Sequence, residues 1–154
     1  MVRILLTVLL LSFFLTAAFA EDAVEVYVPS EKNRLASSKS LDDRIRIYDT
    51  AFERIRKEME KHIREDRFED AARALSAWSA LLSESLADIE KFVNTKKQSG
   101  RLRQYEISLR QAINGIHAFR MHVPIELYDA LVLFEYQAEN TRRKFIDFLF
   151  GNSD

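Results

Sequence analysis

The chain has 154 residues and no cysteine, which excludes disulfide bonds, a lipid-modified cysteine and haem attachment through paired cysteines. Its 23 Lys and Arg residues nearly balance its 24 Asp and Glu residues, and this balance argues against a nucleic-acid partner. Only three Gly and two Pro residues occur, so the chain has few points at which a helix must end and we expect an all-α protein.

Residues 1–20 have the layout of a cleaved secretory signal peptide. Arg3 provides the basic start, Ile4–Leu15 is almost entirely apolar, and Ala18-Phe19-Ala20 is the small-residue cleavage motif. We therefore expect export to the periplasm or the exterior, with cleavage leaving 22 basic against 24 acidic residues. An uncleaved anchor, and with it contact with a membrane, is the alternative. The segment Ile4–Ala20 has 17 residues, at the lower limit of the about 17–25 needed to span a bilayer.

Residues 21–40 differ in composition from the rest of the chain and predict an extended, flexible leader. Ala23–Pro29 alternates like a short strand but has no second strand to pair with, and Ser30–Ser40 is polar and rich in serine. Ser40 is a favourable N-cap for a helix that begins at Leu41, because its hydroxyl can accept a hydrogen bond from an unpaired amide of the first turn.

Two long amphipathic helices are predicted next, over residues 41–63 and 68–97, with a turn at residues 64–67. Each has an apolar stripe at alternating spacings of three and four, which places the side chains on one helix face. The stripes are Leu41, Ile45, Tyr48, Phe52, Ile55 and Met59, and then Phe68, Ala71, Leu75, Trp78, Leu82, Ser85, Ile89 and Phe92. We expect these helices to pack as an antiparallel hairpin.

A second hairpin is predicted from helices over residues 101–121 and 124–150. Pro124 separates them, because it disfavours helical geometry in the preceding residue and suits a first helical position. The apolar stripes are Leu102, Tyr105, Leu109, Ala112, Ile116 and Phe119, and then Leu127, Leu131, Phe134, Ala138, Thr141, Phe145 and Phe148. Short connections predict that residues 41–150 form one antiparallel four-helix bundle, up-down-up-down.

The two hairpins also share a local pattern of apolar residues. Phe68, Ala71, Ala72 and Leu75 follow the first turn at the same spacing as Leu127, Ala130, Leu131 and Phe134 follow the third. This match supports pairing of the four helices as two hairpins, although helical periodicity alone also produces such matches.

The sequence lacks the motifs of the common catalytic and metal-binding bundles. A ferritin-like di-iron site requires Glu-x-x-His pairs, and the sequence contains none. The histidines at His62, His117 and His122 have no spacing specific to a metal site, even though Glu58 could share a face with His62. We therefore predict a protein that is not an enzyme and that has no cofactor or metal.

The last predicted helix carries a second apolar stripe on the side opposite its core stripe. Ile125, Tyr128, Val132 and Tyr136 form this candidate interaction face, and contiguous apolar surface of this kind usually marks a contact site. A homodimer or another protein partner could cover it. The alternative is intramolecular, with Val24, Val26, Tyr27 and Val28 of the leader folding back over it.

Two classes of function remain. The first is an exported, non-enzymatic structural or protein-interaction module of the cell envelope or the extracellular space. The second is a carrier that holds a small apolar ligand between its helices, near Trp78, Phe119 and Phe134. All three of these aromatic residues also occupy ordinary core positions, which is the competing explanation.

Overall fold

The computed structural model describes residues 24–92 and 99–151, and all regular structure within these two ranges is helical. The helices are α1 Pro29–Ser37, α2 Leu41–Arg64, α3 Phe68–Phe92, α4 Gly100–Phe119 and α5 Ile125–Phe150, with a 3-10 turn at Arg120–His122. The all-α prediction is confirmed, but the described ranges contain five α-helices and not four. The predicted signal peptide and the predicted helix end at residue 97 lie outside the described residues.

Side-chain caps and a tight turn define where the long helices begin and end. The Ser40 hydroxyl accepts a hydrogen bond from the Asp43 amide, and the Ser99 hydroxyl does the same for the Leu102 amide. Between α2 and α3, Asp66 adopts a positive φ of 56°, and the Arg67 amide donates to the His62 carbonyl at 2.9 Å. This left-handed residue reverses the chain within three residues and so makes α2 and α3 a close hairpin.

Aromatic rings from all four long helices meet in the core. Trp78 of α3 contacts Phe52 of α2 at 4.8 Å and stacks on Phe134 of α5 at 4.3 Å between ring centroids. Tyr105 of α4 contacts Phe52 at 5.6 Å and Phe145 of α5 at 5.3 Å. Rings at these separations gain contact energy beyond simple burial, so they connect each long helix to two others.

Each long helix packs against two others, in the order α2, α3, α5, α4 around the core. Within a hairpin the helices are antiparallel, since Arg44 near the start of α2 contacts Asp88 near the end of α3. Between hairpins the neighbouring helices run parallel: along α3, Trp78 contacts Phe134 and Ser83 contacts Gln137. The antiparallel packing predicted for the first hairpin is present, and α3 and α5 of different hairpins run parallel.

The expectation of an extended leader over residues 21–40 is wrong for Pro29–Ser37, which forms α1. The Glu31 carboxylate accepts a hydrogen bond from the Val28 amide at 3.0 Å, and Pro29 occupies the first turn. Arg54 of α2 donates to the Val26 carbonyl at 2.8 Å and to Glu31 at 2.9 Å. These contacts hold the described part of the leader against α2.

None of the helices in the described ranges is both long enough and apolar enough to cross a membrane.

The Leu82→Ala substitution should lower the free energy of unfolding by about 2–5 kcal/mol. The Leu82 side chain is 0% exposed, so its truncation leaves a cavity in the core. The matched control is Met121→Ala, where the side chain is 84% exposed and truncation should change the stability little. Chemical denaturation followed by circular dichroism measures both changes. Equal unfolding midpoints for Leu82→Ala and the parent would contradict this description of the core.

Candidate functional site

The side of α5 that faces away from the core exposes large apolar side chains. Ile125 is 65% exposed, Tyr128 36%, Val132 38% and Tyr136 71%, and these four residues are called the outer face of α5 below. The opposite side of the same helix is buried through Leu127, Leu131 and Phe134. At about 100° per residue, the two stripes lie on opposite sides of one helix, so α5 is apolar on both.

Leu133 extends this apolar surface and was missed in the sequence. It is 71% exposed and lies between the core stripe and the outer face, so that neither periodic pattern includes it. Leu133 borders an open groove between α3 and α5, lined by Ala72, Leu75, Ser76, Ser79, Ala130, Leu133, Phe134 and Gln137. The Gln137 amide donates to the Ser79 carbonyl at 2.8 Å and to the Ser83 hydroxyl at 2.9 Å across one end of this groove.

Ion pairs along the α4–α5 boundary fix the orientation of α5 about its axis. Arg142 donates through Nε to Glu106 of α4 at 2.7 Å and through Nη1 to Glu139 at 3.3 Å. The hydrogen bond to Glu106 raises the pKa of the Arg142 guanidinium above its usual value. Nearer the start of α5, Glu135 pairs with Arg120 and with His117. The apolar outer face therefore cannot rotate inward without breaking these contacts.

The described part of the leader, from residue 24 onward, does not cover the outer face of α5. Tyr27 is 6% exposed and its ring lies 6.4 Å from that of Tyr48 on α2, while Val24 and Val26 pack at the edge of the core. In the order of helices around the core, α2 and α5 occupy opposite corners. The alternative in which the leader folds over Ile125–Tyr136 is therefore wrong for the described part of the leader.

The aromatic residues considered as a ligand site are packed against one another. Trp78 and Phe134 are 0% and 2% exposed, and their rings stack directly at 4.3 Å. Phe119 lies at the periphery of the core and is only partly buried. A ligand held among these rings would have to separate Trp78 from Phe134. The carrier alternative therefore gains no support from this geometry.

The buried polar groups serve as attachments between helices. The Tyr48 hydroxyl donates to Asp88, which also accepts from Arg44, and Arg44 in turn donates to the Leu35 carbonyl at 3.1 Å. Burial, followed by the hydrogen bond to Asp88, raises the pKa of the Tyr48 phenol and keeps it neutral. This network connects α2, α3 and α1, and a neutral phenol that donates to a carboxylate is a poor nucleophile.

The remaining titratable groups are scattered. Burial raises the pKa of the Asp49 carboxyl, and a hydrogen bond from Ser108 opposes that rise. His62 Nδ1 lies 3.9 Å from Asp70, and His117 Nε2 lies 3.0 Å from Glu135. Over residues 24–92 and 99–151, no three histidine or acidic side chains cluster in a way that could hold a metal ion.

Comparisons of this chain with models of known protein families, with curated proteins and with solved structures found no match. The basis for a functional assignment is therefore the chain's own surface. Its most distinctive feature is the outer face of α5, where exposed aromatic and aliphatic side chains lie on a helix of fixed orientation.

Proposed function

We propose that this chain is an exported, non-enzymatic protein-interaction module, in which a four-helix bundle of residues 41–150 presents the outer face of α5 to a protein partner. The observation that carries the proposal is the exposure of Ile125, Val132 and Tyr136 on one side of a helix whose other side is buried. Soluble proteins rarely leave a contiguous apolar surface open to water unless it forms a contact.

The chemistry of the outer face favours a protein as the partner. Tyrosine side chains combine a large apolar ring with a hydroxyl that can hydrogen bond, and they are enriched among the residues that dominate binding energies. Tyr128 is held in place, because the Arg120 guanidinium lies 6.0 Å from the centre of its ring. Tyr136 and the neighbouring Leu133 are each 71% exposed, so they have the most apolar area to lose on binding.

Export is proposed on the layout of residues 1–20, where a basic start, an apolar run and Ala18-Phe19-Ala20 occur in the order typical of a secretory signal. The partner would then belong to the cell envelope or to the extracellular space. The sequence contains no cysteine, so the exported protein would fold without disulfide bonds.

Protein recovered from the producing cell should begin at Glu21 when its N-terminus is sequenced, because the signal peptide is removed after Ala20. It should fractionate with the periplasm or the culture medium. Recovery of a chain that begins at Met1 in the membrane fraction would contradict export with cleavage.

The double substitution Val132→Glu with Tyr136→Glu should reduce binding at this face by about tenfold or more, since it places two charges within the apolar contact. The control is Gln111→Glu with Asn114→Glu, which adds the same two charges to exposed positions of α4. Mass spectrometry of proteins retained from host envelope extract, together with light scattering of the purified chain, measures the loss. Equal retention and equal association by both variants would rule out the outer face as a contact surface.

A further inference from the structure

Five exposed charged residues lie on the outward side of α5, and four of them are arranged by sign along the helix. Glu126 and Asp129 lie near the start of α5, whereas Arg143 and Lys144 lie near its end. None of these four forms an ion pair with another residue of the described ranges. The neighbouring charges Glu135, Glu139 and Arg142 are all paired across or along the α4–α5 boundary. The outward side of α5 therefore begins with two acidic residues and has two basic residues near its end, followed by the exposed Asp147 in the last turns.

The spacing of these charges is symmetric about Tyr136. Asp129 lies seven residues before Tyr136 and Arg143 lies seven residues after it, so each is about 10.5 Å from Tyr136 along the helix axis. A seven-residue interval is close to two full turns, so that all three side chains remain on one side of the helix. The outward side of α5 is thus self-complementary in charge when the helix is reversed about Tyr136.

This symmetry distinguishes one occupant from others. A second copy laid antiparallel across α5 brings Asp129 of each chain opposite Arg143 of the other, which gives two ion pairs about a two-fold axis. Glu126 and Lys144 lie along the same edge of the outward side of α5. In an antiparallel pair this edge of one helix meets the same edge of the other, so Glu126 of each chain approaches Lys144 of the other. A parallel arrangement would instead bring Asp129 next to Asp129 and Arg143 next to Arg143, and is disfavoured by repulsion.

The apolar side chains fit the same arrangement. Tyr136, at 71% exposure, would lie at the axis and pack on Tyr136 of the second copy. Val132 and Leu133 lie one turn away and extend the contact toward the groove beside α3. Ala72 and Ser76 at that groove are small, which leaves room for a second helix to approach. Asp147 would fall opposite Ile125 at the end of the contact, where it stays in water.

We infer that the partner of the outer face is a second copy of this chain, bound through α5 in an antiparallel, two-fold arrangement centred on Tyr136. This inference rests on the proposed function of the same face and identifies its partner. Because one helix of each copy forms most of the contact, we expect it to bury less than the about 1,200–2,000 Å² typical of stable complexes. The dimer is therefore reversible, and it weakens as salt screens the ion pairs.

A charge exchange tests the antiparallel register. Asp129→Arg alone and Arg143→Asp alone each replace two ion pairs with two like-charge contacts, and each should weaken the dimer by about tenfold. The double variant Asp129→Arg with Arg143→Asp restores both pairs and should recover the association of the parent. Sedimentation equilibrium at low salt measures all four proteins. A double variant as weak as either single variant would overturn the inference.

The absence of cysteine permits a direct second test. Tyr136→Cys introduces the only thiol in the chain, and its position at the two-fold axis should give a disulfide-linked dimer under mild oxidation. The control Gln111→Cys, on the exposed surface of α4, should remain largely monomeric. Two results together would overturn self-pairing: Tyr136→Cys forms no cross-link, and the parent chain sediments as a monomer at all concentrations. If Val132→Glu with Tyr136→Glu still abolished capture of another protein in that case, the proposed function would stand and only the identity of the partner would fail.

Discussion

Stacking of Trp78 on Phe134 is the contact on which the remaining architecture depends, because it joins the first hairpin to the second at the centre of the core. Phe52 packs on the edge of Trp78 and also on Tyr105, so that the same group of rings reaches α2 and α4. With Phe134 committed to Trp78, the side of α5 that carries Tyr136 must point outward. The exposure of an apolar face is therefore a consequence of core packing and not of loose attachment.

Charged residues set the boundaries of the fold around this aromatic centre. Arg54 and Arg44 hold the leader by donating to backbone carbonyls of Val26 and Leu35, which gives α1 a defined place on α2. Arg142 fixes α5 against α4 in a similar way through Glu106. These contacts are directional and partly buried, so they select the orientations of α1 and α5, while burial of the core supplies most of the stability.

Much of this fold could be predicted because helical periodicity records which side of each helix is buried. Ser40 also marks a helix start in a way that sequence alone reveals, since a serine before an apolar periodic segment is a common cap. Helix α1 was missed because it is polar and short, and its stability comes from tertiary contacts of Glu31 and Leu35 with α2.

The arrangement between hairpins could not be derived from stripes, because a stripe shows that a side is buried and does not identify its neighbour. The repeated spacing at Leu75 and Phe134 was visible in the sequence, and the structure places α3 and α5 side by side and parallel. Leu133 was missed for a related reason, since it borders a groove that forms only when α3 and α5 meet. The outer face itself could be predicted from the sequence, because Ile125, Tyr128, Val132 and Tyr136 recur at helical spacing.

We propose that the packing of the core makes the outer face of α5 a contact surface. Hydroxyl-radical labelling of the folded chain over a concentration series, alone and with host envelope extract, tests it most directly. We expect labelling of Tyr136 and Leu133 to fall as the face is covered, while labelling of Phe92, which is 44% exposed on α3, stays constant. Labelling of Tyr136 that remained unchanged at every concentration and in the extract would contradict it.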